Sequence, residues 1–338
     1  MPNRSHGARW AIALWTLSGS FVAGACGGGG VDAGSGGSLA SGGSTVGSGG
    51  STTTGGAPSA TGGASGATGG GSGGATPMGG DTGSGGSAPT SGCGEPLGDT
   101  GVQNLTLDVG GSERSYVLSV PESVSAGSPI TLVFAWHGLG GSGTLARLYF
   151  GVEGQADGAA IFVYPDGLPV ESQGGEPGWD LTADGIDVAF FDALLADLSG
   201  KYCIDRERIF STGHSFGGYM TNRLGCSRAD VLRGVAPVAG GPAFGGTCGG
   251  EIAALLVHGT NDPTVEITQG TDARDDYLAR SGCSMTSAPV PPAPCAAYDG
   301  CSSASPVVWC EHDTEEGDAH GWPDFAATAI WGFLSSLD

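Results

Sequence analysis

A glycine-rich stretch decides where this chain can build a core. Residues 27–90 contain 27 glycines in 64 residues and no aromatic residue, lysine or arginine, and only Asp32 and Asp81 carry charge. A segment of this composition cannot bury enough apolar surface to offset the conformational entropy that is lost on folding. We therefore expect residues 26–92 to be a disordered Gly/Ser/Thr-rich tether, and residues 93–338 to form one folded domain.

The first 25 residues have the pattern of an export signal. Arg4 and Arg9 give a basic start, residues 10–23 form a short apolar run, and Ala23-Gly24-Ala25 is a small-residue cleavage site. The run is shorter than the roughly 20 residues that a membrane-spanning helix needs. We expect residues 1–25 to be removed as a signal peptide and the mature chain to be exported.

Cys26 follows the cleavage site directly. Small residues before a cysteine and a Gly/Ser tether after it resemble the lipid-attachment site of bacterial lipoproteins. The resemblance implies a lipid anchor on Cys26 and a place at the cell surface or the outer membrane. The alternative is plain secretion, with cleavage at the same bond and a free thiol on Cys26.

The charge of the chain excludes several classes of partner. The 34 acidic residues outnumber the 12 basic ones, and the formal net charge is −22. Such a surface repels phosphate backbones and anionic lipids. We therefore expect no nucleic-acid partner, contact with a membrane only through the anchor, and substrates that are neutral.

Strand and helix patterns alternate after Cys93. Strands are predicted at residues 102–109, 114–120, 130–136, 160–164, 208–212, 235–238, 253–257 and 306–310. Helices are predicted at residues 187–198, from the glycines after Ser215 to residue 224, and at 322–337, where Pro323 stands near the start. The first two strands form a hairpin. This alternation indicates the α/β class, with a mostly parallel central sheet and helices on both faces.

The motif Gly213-x-Ser215-x-Gly217 lies between a predicted strand and a predicted helix. This is the pattern of a nucleophile elbow, where the serine sits on a turn so tight that larger neighbouring side chains would clash. The helix that follows favours negative charge at its N-terminus. We therefore predict that Ser215 is a nucleophile. The alternative is a chance match, which a glycine-rich chain produces easily.

A serine nucleophile needs a base, and the base needs a carboxylate that orients it. In α/β-hydrolases these residues follow in the order serine, acid, histidine. Asp262 lies five residues past the predicted strand 253–257 and is the predicted acid, and His320 directly precedes the final helix and is the predicted base. The competing residues are Asp275, Asp276, Asp313 and Asp318 for the acid and His312 for the base.

The oxyanion of an acyl-transfer reaction needs two N–H donors. We predict that one is the amide of Phe216, which follows the nucleophile. The other is expected in the glycine-rich turn after strand 130–136, where Leu139 is the first choice and Gly138 its nearest rival. The alternative is that these glycines only make the turn.

Together these residues resemble the secreted polyhydroxybutyrate-depolymerase-like esterases, a family that includes feruloyl esterases and acetyl xylan esterases. The matching segments are Phe134-Ala-Trp-His137-Gly138, Tyr164-Pro-Asp166-Gly167, Gly178-Trp179, Asp187-Val-Ala-Phe190, Cys203-Ile-Asp205, Gly213-His-Ser215-Phe-Gly-Gly218, Leu224-Gly-Cys226, His258-Gly-Thr-Asn-Asp262-Pro and His320-Gly-Trp-Pro323. The resemblance implies an α/β-hydrolase fold and an acyl-enzyme mechanism without a cofactor or metal. It also implies the roles given above to Ser215, Asp262 and His320.

We therefore expect an exported serine carboxylesterase that hydrolyses feruloyl, or hydroxycinnamoyl, esters of plant polysaccharide. Trp179, with Phe190 beside it, is a candidate wall of an aromatic acyl pocket, the alternative being ordinary packing. His137 and His214 are expected next to the substrate. The alternative functions are hydrolysis of polyhydroxybutyrate or other short polyesters, deacetylation of xylan, and a catalytically silent surface-binding protein on a hydrolase scaffold.

Eight cysteines follow the tether, and an exported chain is expected to join them in disulfides. The sequence alone leaves many pairings open. Our prediction is Cys93–Cys203, Cys226–Cys248, Cys283–Cys310 and Cys295–Cys301. The alternative for four of these residues is a zinc site.

Overall fold

The computed structural model describes residues 93–94, 98–313 and 319–337. The predicted signal peptide and the whole predicted tether, including Cys26, lie outside the described residues, and so does Asp318.

Twelve strands are assigned in the described residues. In chain order they are β1 Gly101–Val109, β2 Ser112–Val120, β3 Ile130–Trp136, β4 Ala160–Pro165, β5 Leu168–Val170, β6 Glu176–Gly178, β7 Ile204–His214, β8 Gly234–Val238, β9 Ala253–Gly259, β10 Ser287–Pro289, β11 Cys295–Tyr298 and β12 Val307–His312. The helices are α1 Gly143–Phe150, α2 Val152–Ala156, α3 Ile186–Lys201, α4 Phe216–Ser227, α5 Ile267–Arg280 and α6 Ala326–Ser335. Within the described part of the chain, none of these helices has the length and apolarity to cross a membrane.

Ten strands form one sheet, in the order β1-β2-β4-β3-β7-β8-β9-β12-β11-β10. The pairs from β4 to β12 are all parallel, and the strands at both ends of the sheet pair antiparallel. Strands β5 and β6 form a separate hairpin. Because the C-terminal ends of parallel strands meet at one edge, the loops after β3, β7, β9 and β12 lie near one another.

Both faces of the sheet are covered, and this explains the continuous apolar runs. Every residue of β4 and of β9 is buried. One hydrophobic core packs α3, α4 and α5 against one face, and a second packs α1, α2 and α6 against the other. The structure therefore confirms the predicted α/β class with helices on both faces of a sheet whose central strands are parallel.

The final helix begins later than the sequence predicted. It starts at Ala326 rather than at residue 322. Trp322 instead lies in the preceding loop, where its ring stacks on Phe150 with centroids 4.1 Å apart. Its amide donates a hydrogen bond to the hydroxyl of Tyr149 at 2.6 Å. These contacts hold Trp322 in the loop before the helix.

The disulfide pairing was half right. Cys93–Cys203 and Cys226–Cys248 form as predicted. The other two predicted pairs, Cys283–Cys310 and Cys295–Cys301, are wrong, and the bridges are Cys283–Cys301 and Cys295–Cys310. The antiparallel register of β11 and β12 places Cys295 directly opposite Cys310. All eight described cysteines are thus bridged, which rules out the zinc alternative for them.

Candidate active site

Ser215 stands on a strained turn between β7 and α4. Its backbone has φ 55° and ψ −117°, a conformation that side-chain-bearing residues rarely adopt. A Cβ atom on Gly217 would collide with the carbonyl oxygen of Trp136, and one on Gly213 would collide with the carbonyl oxygen of Gly217. The two glycines therefore allow the helix to start directly against the end of β3, with Ser215 at the top of the turn.

The structure brings Ser215, His320 and Asp262 together in one hydrogen-bonded chain. His320 Nε2 lies 2.8 Å from Ser215 Oγ. His320 Nδ1 lies 2.8 Å from Asp262 Oδ2. The three residues follow β7, β12 and β9, which end at the same edge of the sheet. A carboxylate accepts only, so His320 carries its proton on Nδ1 and offers the lone pair of Nε2 to the serine hydroxyl.

The carboxylate of Asp262 is held in its charged form. Burial pushes the pKa of Asp262 up, but the hydrogen bond to His320 and the amides of Val265 and Thr264 more than offset this and leave the pKa below its ordinary value. Both amides donate to Oδ1 at 2.8 Å. The oxygen that faces His320 is therefore oriented by the backbone.

The described acid competitors are exposed, and the competing base His312 lies at the end of β12. Asp275 and Asp276 are exposed on α5 and pair with Arg274 at 2.7 Å and Arg280 at 3.3 Å. Asp313 is exposed. His312 ends β12, its ring meets the ring of Phe325 edge-on, and burial lowers its pKa.

The predicted oxyanion donors belong to two segments that meet at Ser215. Phe216 is the first residue of α4, and first-turn amides have no acceptor within their own helix. Leu139 lies in the turn after β3, between Gly138 and Gly140. The carbonyl of Gly138 accepts from the amide of Gly141 at 3.0 Å, and the amide of Gly140 donates to the carbonyl of Pro177 at 2.8 Å. A Cβ atom on Gly138 would lie 3.4 Å from Ser215 Cβ, so this turn packs directly on the serine.

The ring of His137, which we predicted to lie next to the substrate, is bonded to the backbone on both sides. The residue is buried, and both ring nitrogens already have backbone partners. Nδ1 donates to the carbonyl of Gly138 at 2.7 Å, and Nε2 accepts from the amide of Gly167 at 2.9 Å. Burial lowers the pKa of His137, which keeps the ring neutral as these two bonds require. His137 instead fixes the turn that carries Leu139.

His214, which we predicted to lie next to the substrate, contacts the segment of His320. His214 Nε2 lies 2.5 Å from the carbonyl oxygen of His320. Its ring packs between the rings of Tyr149 and Trp322, with centroids 5.7 Å and 6.2 Å away. The side chain therefore faces the loop that carries His320.

Trp179 has a structural role and also borders a cavity. Its side chain is 1% exposed, and Nε1 donates to the carbonyl of His137 at 2.8 Å. Phe190 lies in the core, beneath the guanidinium of Arg114 at 4.1 Å, and is packing rather than a pocket wall. Trp179, however, forms part of a cavity of about 380 Å³ with the β5–β6 hairpin, Ile186 and Phe216.

The sequence predictions missed this cavity because they missed the hairpin. Its two strands have only three residues each and contain Pro169 and Pro177, which weakens any strand pattern. The available signal was Gly174-Gly175, both in left-handed conformation, between two short extended runs. The predictions also missed Tyr149, for which the apolar pattern of the sequence holds no signal.

The chain resembles known esterases in sequence and in fold. No family model matches the chain. It is similar to feruloyl esterase D of Neurospora crassa, with 32% identity over 275 residues that cover 74% of this chain and 91% of that protein. It is also similar to a probable feruloyl esterase C of Aspergillus niger, with 33% identity over 265 residues that cover 73% and 91% of the two chains.

Among solved structures, the acetyl xylan esterase from Aspergillus awamori matches with a TM-score of 0.55 and 16% identity. The match covers 69% of this chain and 99% of that one. At this level of identity the match shows a shared fold. The sequence similarity also shows the family, because 32% identity extends over 74% of this chain and 91% of the relative.

Proposed function

Since this chain belongs to the family of feruloyl esterases, we propose that it hydrolyses hydroxycinnamoyl esters of plant polysaccharide with Ser215 as nucleophile. It is a carboxylic ester hydrolase. The observation that carries the proposed mechanism is the unbroken chain from Ser215 through His320 to Asp262, with both links at 2.8 Å.

In the proposed reaction, Ser215 Oγ attacks the ester carbonyl carbon while His320 Nε2 takes the hydroxyl proton. The charge of Asp262 stabilises the imidazolium that forms. The amides of Phe216 and Leu139 donate to the oxyanion. His320 then gives its proton to the leaving alcohol oxygen, and an acyl-enzyme remains. Water, activated by the same histidine, releases the acid and restores the serine.

The cavity beside Phe216 supports the proposal that the acyl group of the substrate is aromatic. Phe216 contributes its amide next to the nucleophile and its ring to the wall of the 380 Å³ cavity. Leu168, Val170 and Ile186 make other parts of the wall apolar. A cavity of this volume and character suits a small aromatic ring. The proposed ligand is therefore the phenyl ring of the acid, in a small or polysaccharide-linked ester.

A panel of esters tests the proposed function. Methyl ferulate should be hydrolysed faster than 4-nitrophenyl acetate or hydroxybutyrate oligomers, and a fluorophosphonate should label wild-type protein but not Ser215→Ala. Rapid oligomer cleavage without ferulate turnover would favour a polyester depolymerase, and rapid acetate release alone would favour an acetyl esterase. Wild-type protein that does not label would support the silent surface-binding alternative.

Filling the cavity tests the acyl pocket. Ile186 is 55% exposed at the cavity wall, so Ile186→Trp adds bulk there without disturbing the core. We expect KM for methyl ferulate to rise about tenfold or more, and kcat/KM for 4-nitrophenyl acetate to stay within about threefold. Met285→Trp, at a position 68% exposed in the disulfide-bridged segment, is the matched control. Equal kinetics of both variants on methyl ferulate would exclude this cavity as the binding site of the acyl group.

Four disulfides indicate that the domain matures in an oxidising compartment, which agrees with export. We propose further that residues 1–25 are a signal peptide, that residues 26–92 tether a catalytic domain of residues 93–338, and that Cys26 carries a bacterial lipid anchor. Mass spectrometry of the mature N-terminus should find diacylglyceryl on Cys26. A free thiol there would leave plain secretion.

A further inference from the structure

His320 lies on a segment without regular secondary structure. Residues 319–325 lie between β12 and α6, and neither element fixes the backbone of the base. The imidazole makes its two bonds to Ser215 and Asp262 only if that backbone is held at the right distance. Other groups must therefore hold the segment.

His214 is one of these groups. It ends β7 and directly precedes Ser215, and its Nε2 donates to the carbonyl oxygen of His320. A carbonyl only accepts, so His214 keeps its proton on Nε2 whether the ring is neutral or charged. The nucleophile strand thus reaches the base segment at two points, through Ser215 Oγ and through the His214 ring.

Tyr149 contacts the same segment at Trp322. It lies on α1, the helix that follows the turn of Leu139, and its hydroxyl accepts from the amide of Trp322 at 2.6 Å. Phe150, the next residue, stacks on the Trp322 ring. Since the ring of Tyr149 also packs on the ring of His214, the two groups form one contiguous contact around the segment.

We propose that His214 and Tyr149 are positioning residues, which hold the backbone of residues 320–322 where the imidazole of His320 can bridge Ser215 and Asp262. This role rests on the proposed catalytic function of His320. Neither residue is assigned contact with the substrate. Their effect is on the geometry of the base, where a displacement of about 1 Å can cost on the order of 100-fold in rate.

Two replacements of His214 separate the hydrogen bond from the packing. His214→Leu keeps an apolar side chain of similar reach but cannot donate, whereas His214→Gln places an amide N–H near the position of Nε2. We expect His214→Leu to lower kcat for methyl ferulate by about 10- to 100-fold with KM within about threefold, and His214→Gln to stay within about fivefold of wild type. Wild-type kcat in the leucine variant, or an equal loss in both, overturns the role of His214.

Tyr149→Phe removes only the hydroxyl, at a side chain that is 49% exposed, so the variant should fold. We expect kcat to fall about five- to tenfold at unchanged KM. Tyr202→Phe is the matched control, because it also loses one hydroxyl bond, to the carbonyl of Asp99 at 2.8 Å, but lies away from the site. Combined with His214→Leu, Tyr149→Phe should lose less than the product of the single losses, since both act on one segment.

The outcomes separate this proposal from the proposed function. Wild-type protein without esterase activity would refute the function itself. Wild-type activity that Ser215→Ala abolishes, together with unchanged kcat in both His214→Leu and Tyr149→Phe, would refute only the positioning. Unchanged kcat in Tyr149→Phe would also overturn the positioning role of Tyr149, even if His214→Leu failed to fold.

Discussion

At the scale of single residues, the site depends on how the carboxylate of Asp262 is held by its hydrogen-bond donors. Asp262 receives two backbone amides on one oxygen and His320 on the other. His258, whose Nε2 donates to the carbonyl of Val265 at 2.8 Å, lies beside this carboxylate at 3.6 Å, and burial lowers its pKa. Burial therefore disfavours charge on His258, and the shorter contact of the Asp262 carboxylate is the one to His320, at 2.8 Å.

The assignment of the base can be tested directly. His320→Ala should lower kcat by about 1,000-fold or more, because the serine hydroxyl then has no acceptor for its proton. His312→Ala is the control from the end of β12, and its kcat should remain within a few-fold of wild type. Steady-state kinetics on a soluble ester decides between them. A large loss in the His312 variant with an active His320 variant would mean that the base is misassigned.

Position along the chain was enough to predict that Ser215, Asp262 and His320 come together, since each follows a strand that reaches the same sheet edge. It was not enough to predict the hydrogen-bond partners of the His137 and His214 rings. The partner of the His137 ring is the amide of Gly167, 30 residues away, and the partner of the His214 ring is a carbonyl 106 residues away. Whether a ring nitrogen meets substrate or backbone depends on these distant contacts.

At the scale of elements, the elbow depends on how closely α4 approaches β3. The first turn of the helix abuts the carbonyl oxygens of Trp136 and His137, so the position of Gly217 has no room for a side chain. The same approach brings the Phe216 amide and the turn of Leu139 to Ser215. One close contact between two elements therefore fixes the positions of both Ser215 and the proposed oxyanion donors.

Two glycine-to-alanine changes in helices should have opposite effects. Gly217→Ala pushes a methyl group into the backbone of Trp136, so we expect a clearly lower melting temperature and a loss of activity of about 100-fold or more. Gly332→Ala, on the exposed side of α6 with open space around it, should raise stability by about 0.5–1 kcal/mol. Thermal unfolding and ester hydrolysis measure both. Similar melting temperatures for the two variants would contradict the close approach.

The elements that the sequence predictions missed are those with a weak apolar pattern. Helix α5 buries only four of its 14 residues, so its helical spacing is hard to see among charged side chains. The wrong disulfide pairs have a similar cause. Cys295 meets Cys310 through the register of β11 on β12, and register is set by turns and neighbours rather than by cysteine spacing.

At the scale of the whole molecule, stability should depend on pH through three histidines. Burial lowers the pKa of His137, His258 and His312 below the ordinary value of 6.5. Above that value both the folded and the unfolded chain hold these rings neutral. As the pH falls below it, the unfolded chain takes up protons that the folded chain refuses, so stability declines towards acid.

We therefore expect the free energy of unfolding to fall between pH 6.5 and pH 5, by at most about 1.4 kcal/mol per pH unit for each histidine. Urea denaturation at several pH values measures the slope. His258→Gln keeps a donor for the Val265 carbonyl but does not titrate, so its profile should be flatter than that of wild type. A wild-type profile that is flat over this range, or an unchanged slope in the variant, would contradict the expectation.

The two bridges between the acid and the base overlap along the chain. Cys283–Cys301 and Cys295–Cys310 together enclose every peptide bond from residue 283 to residue 310, in a segment whose first half is mostly exposed. A protease that nicks the backbone once in this interval would not release either fragment. Ser215 and His320 would stay on one covalent molecule after such a cut.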